Sequence, residues 1–254
     1  MEIFDSSEGF RFLFRWLHIL VGILWVGLLW YFNFVQVPSF AEMDGGARSN
    51  AIDKLVPRAL WYFRWAAALT VLTGLVILGL LRDPATEDLS FGFTTDYWGT
   101  LQGTAIVTGA VMGIIMFLNV WGVIWPAQKV VIANTRNVAA GGQADPNAAA
   151  AARRGALASR TNTMFSIPVV FFMTFTAHLG DFSNFDSLGS RVGYWIVFAV
   201  IVGLLEANAL GLLGGTGQSP LRMYLETVPN VIVAGFVLWA IFYFIGWELL
   251  IGTS

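Results

Sequence analysis

Apolar runs of about 20 residues or more follow one another along this chain, separated by short polar stretches. A run of that length crosses the hydrocarbon core of a bilayer as a helix. The runs are too long and continuous for the alternating strands, about ten residues each, of a membrane barrel. Six spans are predicted, at 10–36, 60–81, 98–125, 162–179, 192–213 and 229–251. Pro38 closes the first, and 41–50 is a polar connection containing Gly45 and Gly46. The second ends at Arg82, Asp83 and Pro84, before an acidic loop at 86–96. The third is expected to pass Pro126 and continue as helix towards Arg136. A flexible loop at 139–147 precedes an Ala-rich helical stretch, 148–159, that leads into the fourth. Residues 180–187 read as a short turn, 214–220 as a break and 221–228 as a surface segment. Pro168 frees the Met164 carbonyl and is expected to kink the fourth helix. Gly99 with Gly103, and Gly109 with Gly113, lie one turn apart and read as faces for close helix approach.

Composition agrees with the pattern. The 254 residues are 57% hydrophobic and 12% charged, with mean hydropathy +0.69, whereas a soluble domain carries about 25% charged residues. The fold class expected is an all-α, polytopic membrane helical bundle, with residues 1–254 as a single integral membrane domain in contact with the lipid bilayer. The net charge of −2 says little about partners, since the charge sits in the loops, and no basic run suggests a nucleic-acid partner. The absence of cysteine excludes disulfides, thiolate metal sites and covalent c-type haem. The acidic start, 1–8, lacks the basic segment and cleavage site of a signal peptide, so the first helix is expected to be retained.

Ten of the fourteen Lys and Arg residues fall on one side of this topology. They are Arg48, Lys54, Arg58 and Arg64, then Lys129, Arg136, Arg153, Arg154 and Arg160, and finally Arg222. Arg11, Arg15, Arg82 and Arg191 lie on the side of the termini. Basic loops stay in the cytoplasm, so the termini are expected outside.

Polar groups inside the spans carry the candidate chemistry, because ionisable residues there cost about 3 kcal/mol and usually face the bundle. His18 and His178 are the only histidines, and the topology puts both in the outer leaflet at depths differing by about 10 Å. Gly22 and Trp25 share the His18 face, so a flat ligand would lie against Gly22 with Trp25 below it. Neutral imidazole ligates haem iron, and haem b needs no cysteine. The alternatives are a metal held by His18, His178 and a carboxylate such as Asp181, or hydrogen bonding of each imidazole within the bundle. A deeper group contains Asn33 and Gln36, Asn119, and Glu206 with Asn208. Glu206 is the one carboxylate well inside a span, and reads as a proton carrier, a ligand contact or a member of an interhelical network. Arg15 either snorkels to the interface or pairs with a haem propionate or an anionic substrate.

Three motifs resemble one family. Trp16-Leu17-His18-x-x-x-Gly22-x-x-Trp25-x-Gly27-x-x-Trp30-Tyr31-Phe32-Asn33-Phe34-Val35-Gln36 resembles the opening helix of the membrane domain of bacterial urate hydroxylases, the urate oxidase N-terminal family. Asn119-Val120-Trp121-x-x-x-Trp125-Pro126-x-Gln128-Lys129 resembles its second motif, and Asn162-Thr163-x-x-Ser166-x-Pro168, leading to His178, its third. The resemblance implies oxidation of urate to 5-hydroxyisourate in a bacterial inner membrane, with periplasmic termini and electrons passing to a cytochrome c domain. This sequence has no Cys-x-x-Cys-His, so the acceptor expected is a separate cytochrome. Arg15, Asn33, Asn119, Asn162 and Glu206 become candidates for substrate or proton contacts, and His18 and His178 for haem. Two other readings compete with this one. One is a non-catalytic subunit of a respiratory or photosynthetic electron-transfer complex. The other is a solute or proton pathway built on Glu206.

Overall fold

The computed structural model describes residues 4, 6–179, 188–244 and 246, without the side chains of 188–190. The described residues form helices and connecting turns. Helix α1, Ser7–Trp30, starts where the Ser6 hydroxyl accepts the Gly9 N–H at 3.0 Å, satisfying a donor that has no partner within the helix. It does not stop before Pro38. A π-helical turn, Tyr31–Gln36, carries it into α2, Val37–Glu42. The polar stretch after it is also helical: α3, Gly45–Lys54, is capped by Asp44. Helix α4, Val56–Gly79, follows directly.

After the short α5, Thr95–Trp98, helix α6 spans Leu101–Asn119. A second π turn, Val120–Ile124, joins it to α7, Trp125–Ala139, so the helix does pass Pro126. The two π turns have one physical cause. A proline lacks the N–H that the carbonyl four residues earlier would accept. Those carbonyls are Phe34 and Gly122, and each lies inside a π turn. The ladder shifts to five-residue spacing, with Val37 N–H donating to Phe32 and Trp125 N–H to Val120. Helix α8, Ala148–His178, is a single 31-residue helix of about 46 Å. Helix α9 is Leu188–Ala209; a turn, Pro220–Leu225, leads to α10, Val228–Ala240.

Four stretches are long and apolar enough to cross a membrane: Ser7–Glu42, Val56–Gly79, Leu101–Ala139 and Arg191–Ala209. Inter-helix bonds give their directions. Ser7–Arg82 and His18–Thr73 make α1 antiparallel to α4. Asn119–Asn162 and Gln102–Thr176 make α6 antiparallel to α8. Thr108–Tyr194 and Asn119–Glu206 make α6 and α9 parallel. Alternating spans predict each of these relations.

The centre of the bundle is α8 rather than α1. Leu157, Ala158, Asn162, Met164, Phe165, Ser166 and Phe172 are all buried on α8, which packs against α1, α6, α7, α9 and α10. On α1, by contrast, Trp16, Ile19, Leu20 and Ile23 face outward. An outward apolar face suits lipid, and a helix enclosed by protein can carry Asn, Thr and Ser.

The glycine pairs divide by role. At Gly103 a Cβ would collide with the Tyr97 carbonyl, and at Gly99 with the Arg191 guanidinium, so these glycines serve the turn into α6. Gly109 lets α6 approach α8, where a Cβ would come 3.0 Å from Met173 Cε. Gly113 would meet nothing within 4 Å. A close approach that the pattern did not single out is at Gly235 on α10. Its Cβ would lie 2.9 Å from the Met164 carbonyl, the group that Pro168 leaves free.

Candidate functional site

The polar side chains gather into separate assemblies on the faces of α8 and α4. The first joins α6, α8 and α9. Asn119 Nδ2 donates to Asn162 Oδ1 at 2.9 Å and to Glu206 Oε2 at 3.2 Å. Asn162 Nδ2 donates to the Met116 carbonyl at 2.9 Å. Asn162 is fully buried and Asn119 almost so. Inside a bundle each such bond contributes about 1 kcal/mol, and leaving one partner unpaired costs more than that. The carboxylate is therefore held by a fixed donor, which is itself fixed by a second amide.

The second assembly joins α1 to α4. His18 Nδ1 lies 3.0 Å from Thr73 Oγ1. The Thr73 hydroxyl lies 2.7 Å from the Leu69 carbonyl. Thr73 Oγ1 also lies 3.1 Å from the Thr70 carbonyl, which borders the ring as well, so the contacts with Thr73 and Thr70 hold the imidazole on α4 whichever nitrogen carries the proton. The ring lies over Gly74, where a Cβ would come 3.2 Å from His18 Cε1. A hydrogen bond from one ring nitrogen that orients the other is the usual support of a ligating imidazole.

His178 is exposed, at the end of α8. Trp30 Nε1 donates to Ser166 Oγ at 2.9 Å, which fixes the register of antiparallel α1 and α8. His18 is twelve residues before Trp30 and His178 twelve after Ser166, so the two imidazoles lie about level along the bundle. The described contacts of His18 are all on α4, and none is with His178.

The other candidates separate. Arg15 is exposed on α1 and makes no hydrogen bond among the described residues. A Cβ on Gly22 would meet nothing within 4 Å, so the wall there is open. Trp25 is buried, and its indole N–H has no partner among the described residues. Asn33 bonds to the Leu29 carbonyl and to Ser159 Oγ at 2.8 Å, away from the Asn119 assembly. The buried Gln36 Oε1 has no partner among the described residues. Asn208 Nδ2 donates to the Leu221 carbonyl and to Tyr224 Oη, bracing the 220s turn. That turn is only partly a surface segment. Leu221 and Met223 are exposed, but Leu225 and Arg222 are buried. The Arg222 guanidinium donates to the carbonyls of Asn208, Leu213 and Gly217. Beside it, Arg153 forks onto both oxygens of Glu226, with one bond of 2.9 Å, and holds the Glu226 carboxyl below its ordinary range.

Two of the partners bore no sequence signal that singled them out. Thr73 and Ser159 are ordinary small hydroxyl residues, and only their opposition to His18 and Asn33 gives them meaning. Among the described residues no three His, Asp or Glu side chains cluster to hold a metal, and Asp181 lies outside the described residues.

Fold and site together define an all-helical protein with membrane-length apolar helices and amide, carboxylate and imidazole groups enclosed between them. Residues 89–208 match the family model described as urate oxidase N-terminal. The match contains the second and third motifs and all of Asn119, Asn162 and Glu206, while the first-helix motif lies before it. No curated protein and no solved structure matches the chain.

Proposed function

We propose that this protein is a membrane oxidoreductase of the urate hydroxylase type, with six spans in a bacterial inner membrane and its termini on the periplasmic side. The family match supports the reaction class, and the preference of basic residues for one set of loops supports the orientation. The observation that carries the redox reading is the His18–Thr73 hydrogen bond, which holds the imidazole against α4 on the helix face that Gly22 shares. His18, and His178 at about its level on α8, are the residues that would hold haem b. Haem bound there supplies a one-electron relay from substrate to a separate cytochrome c. Arg15, on the helix that carries His18, offers a cation to a propionate or to the urate anion. Glu206, held by Asn119 and Asn162, lies about sixteen residues of α8, roughly 24 Å, from the level of His178, and is assigned to a proton path rather than to contact with the purine.

The test is turnover. Purified wild-type protein is expected to oxidise urate with cytochrome c as acceptor, and His18→Ala to lose this by about a hundredfold or more. A folded wild-type sample that turns over urate with no acceptor at all would refute the assignment.

A further inference from the structure

Helices α6 and α9 run side by side and are tied at two levels. Thr108 Oγ1 meets Tyr194 Oη at 2.8 Å, and Asn119 Nδ2 meets Glu206 Oε2 at 3.2 Å. The ties are eleven residues apart on α6, or about 16 Å. Between them the helices leave an open groove of about 410 Å³. Val111, Ile115, Phe198, Val202 and Gly203 line it on one side of Glu206, and Leu210 and Leu212 continue it beyond. The volume lies in the range of small-molecule sites, which are mostly apolar with few fixed polar groups.

We propose that this groove binds a lipid-soluble quinone or quinol, with its ring at Glu206 and its isoprenoid tail along the apolar wall. Three observations select this class. The wall is apolar up to the carboxylate, which admits a hydrocarbon tail and excludes a freely soluble polar substrate. Its one ionisable group is a carboxylate, which would repel the phosphate of an anionic lipid. Glu206 uses Oε2 for Asn119, while Oε1 has no partner among the described residues. A carboxyl group accepts a hydrogen bond from a quinol hydroxyl, and in its protonated form donates one to a quinone carbonyl, so a single side chain serves both ligand states. The Asn119–Asn162 pair keeps that group in place whichever state is bound.

This deepens the oxidoreductase reading and rests on it for the use of the carrier, but the test reads binding alone. Protein in nanodiscs is titrated with a decyl-substituted benzoquinone and with its quinol. Trp195 fluorescence is the reporter, since its ring lies 5.4 Å from that of Phe198 on the groove wall. Saturable binding is expected beyond partition into empty nanodiscs. Gly203→Leu should weaken it about tenfold or more by filling the groove. A Cβ at Gly203 meets nothing within 4 Å, and circular dichroism registers whether the Leu variant keeps its fold. Glu206→Leu should weaken the quinol to a similar degree. Unchanged affinity in Gly203→Leu would overturn the proposal, as would signals no greater than partition, or a decylammonium ion that binds where quinone does not compete. Quinone binding lost while urate turnover persists removes the groove alone. Quinone binding kept with no urate turnover removes the urate reading alone.

Discussion

His18 Nδ1 and Thr73 Oγ1 form a 3.0 Å hydrogen bond across α1 and α4, and the Thr73 hydroxyl also reaches the carbonyls of Leu69 and Thr70. Thr73→Val removes the hydroxyl and keeps the shape. Haem titrated into the purified variant should bind about 10–100-fold more weakly than in the wild type. Imidazole nitrogen shifts should report one tautomer in the wild type and its redistribution in the variant. Equal haem affinity and an unchanged tautomer would show that the bond does not orient the ring.

Asn162 is the hub of the amide–carboxylate assembly. Asn162→Leu strips the Asn119 amide of one acceptor and removes the side-chain donor to the buried Met116 carbonyl, which keeps the Val120 N–H. A loss of about 1–3 kcal/mol in unfolding free energy is expected, read by denaturant titration in detergent. Glu206→Gln keeps an oxygen facing Asn119 and should cost less than Asn162→Leu. The reverse ranking would place the stability of the cluster in the charge rather than in the amide pair.

Gly235 tests the close approach of α10 to the carbonyl that Pro168 frees. An added Cβ would lie 2.5 Å from Ile167 Cδ1 and 2.9 Å from the Met164 oxygen. Gly235→Ala should lower stability by about 1–3 kcal/mol. Gly27→Ala, where a Cβ meets nothing within 4 Å, should be neutral or stabilise by about 0.5–1 kcal/mol. Matching melting temperatures for the two variants would contradict the contact.

These residues also mark what the sequence disclosed. Apolar run length located the long helices, and Pro126 was compatible with a continuing helix because a π turn absorbs the missing donor. Pro38 did the same where a stop was expected. Spacing also gave depth: Asn119 and Glu206 fall at one level and do meet. Depth does not give the direction a side chain faces around its helix. Asn33, at a similar level, turns to Ser159 instead, and His18 turns to α4. The central place of α8 was hidden for a related reason. Hydropathy ranks helices by how well they suit lipid, whereas α8 is wrapped by protein and holds Thr161, Asn162, Thr163 and Ser166, all fully buried. The Arg222 cage depends on carbonyls of a turn and left no side-chain pattern to find.

The Arg153–Glu226 pair sets an acid dependence outside the spans. Arg153 lowers the Glu226 carboxyl in the folded state. A lowered carboxyl contributes its full stability above the unfolded value, about 4.3, and loses it as pH falls through the folded value. Glu226→Gln should therefore be less stable than wild type near neutrality, by about 1–2 kcal/mol. The two proteins should converge in strong acid. A difference that stays constant with pH would mean the pair acts through packing alone.

The redox account stands most directly on one spectrum. A reduced-minus-oxidised difference spectrum of the purified protein should show a b-type band that is lost in His18→Ala and kept in Glu206→Gln. A folded protein with no such band, or a band that survives His18→Ala, would contradict the account.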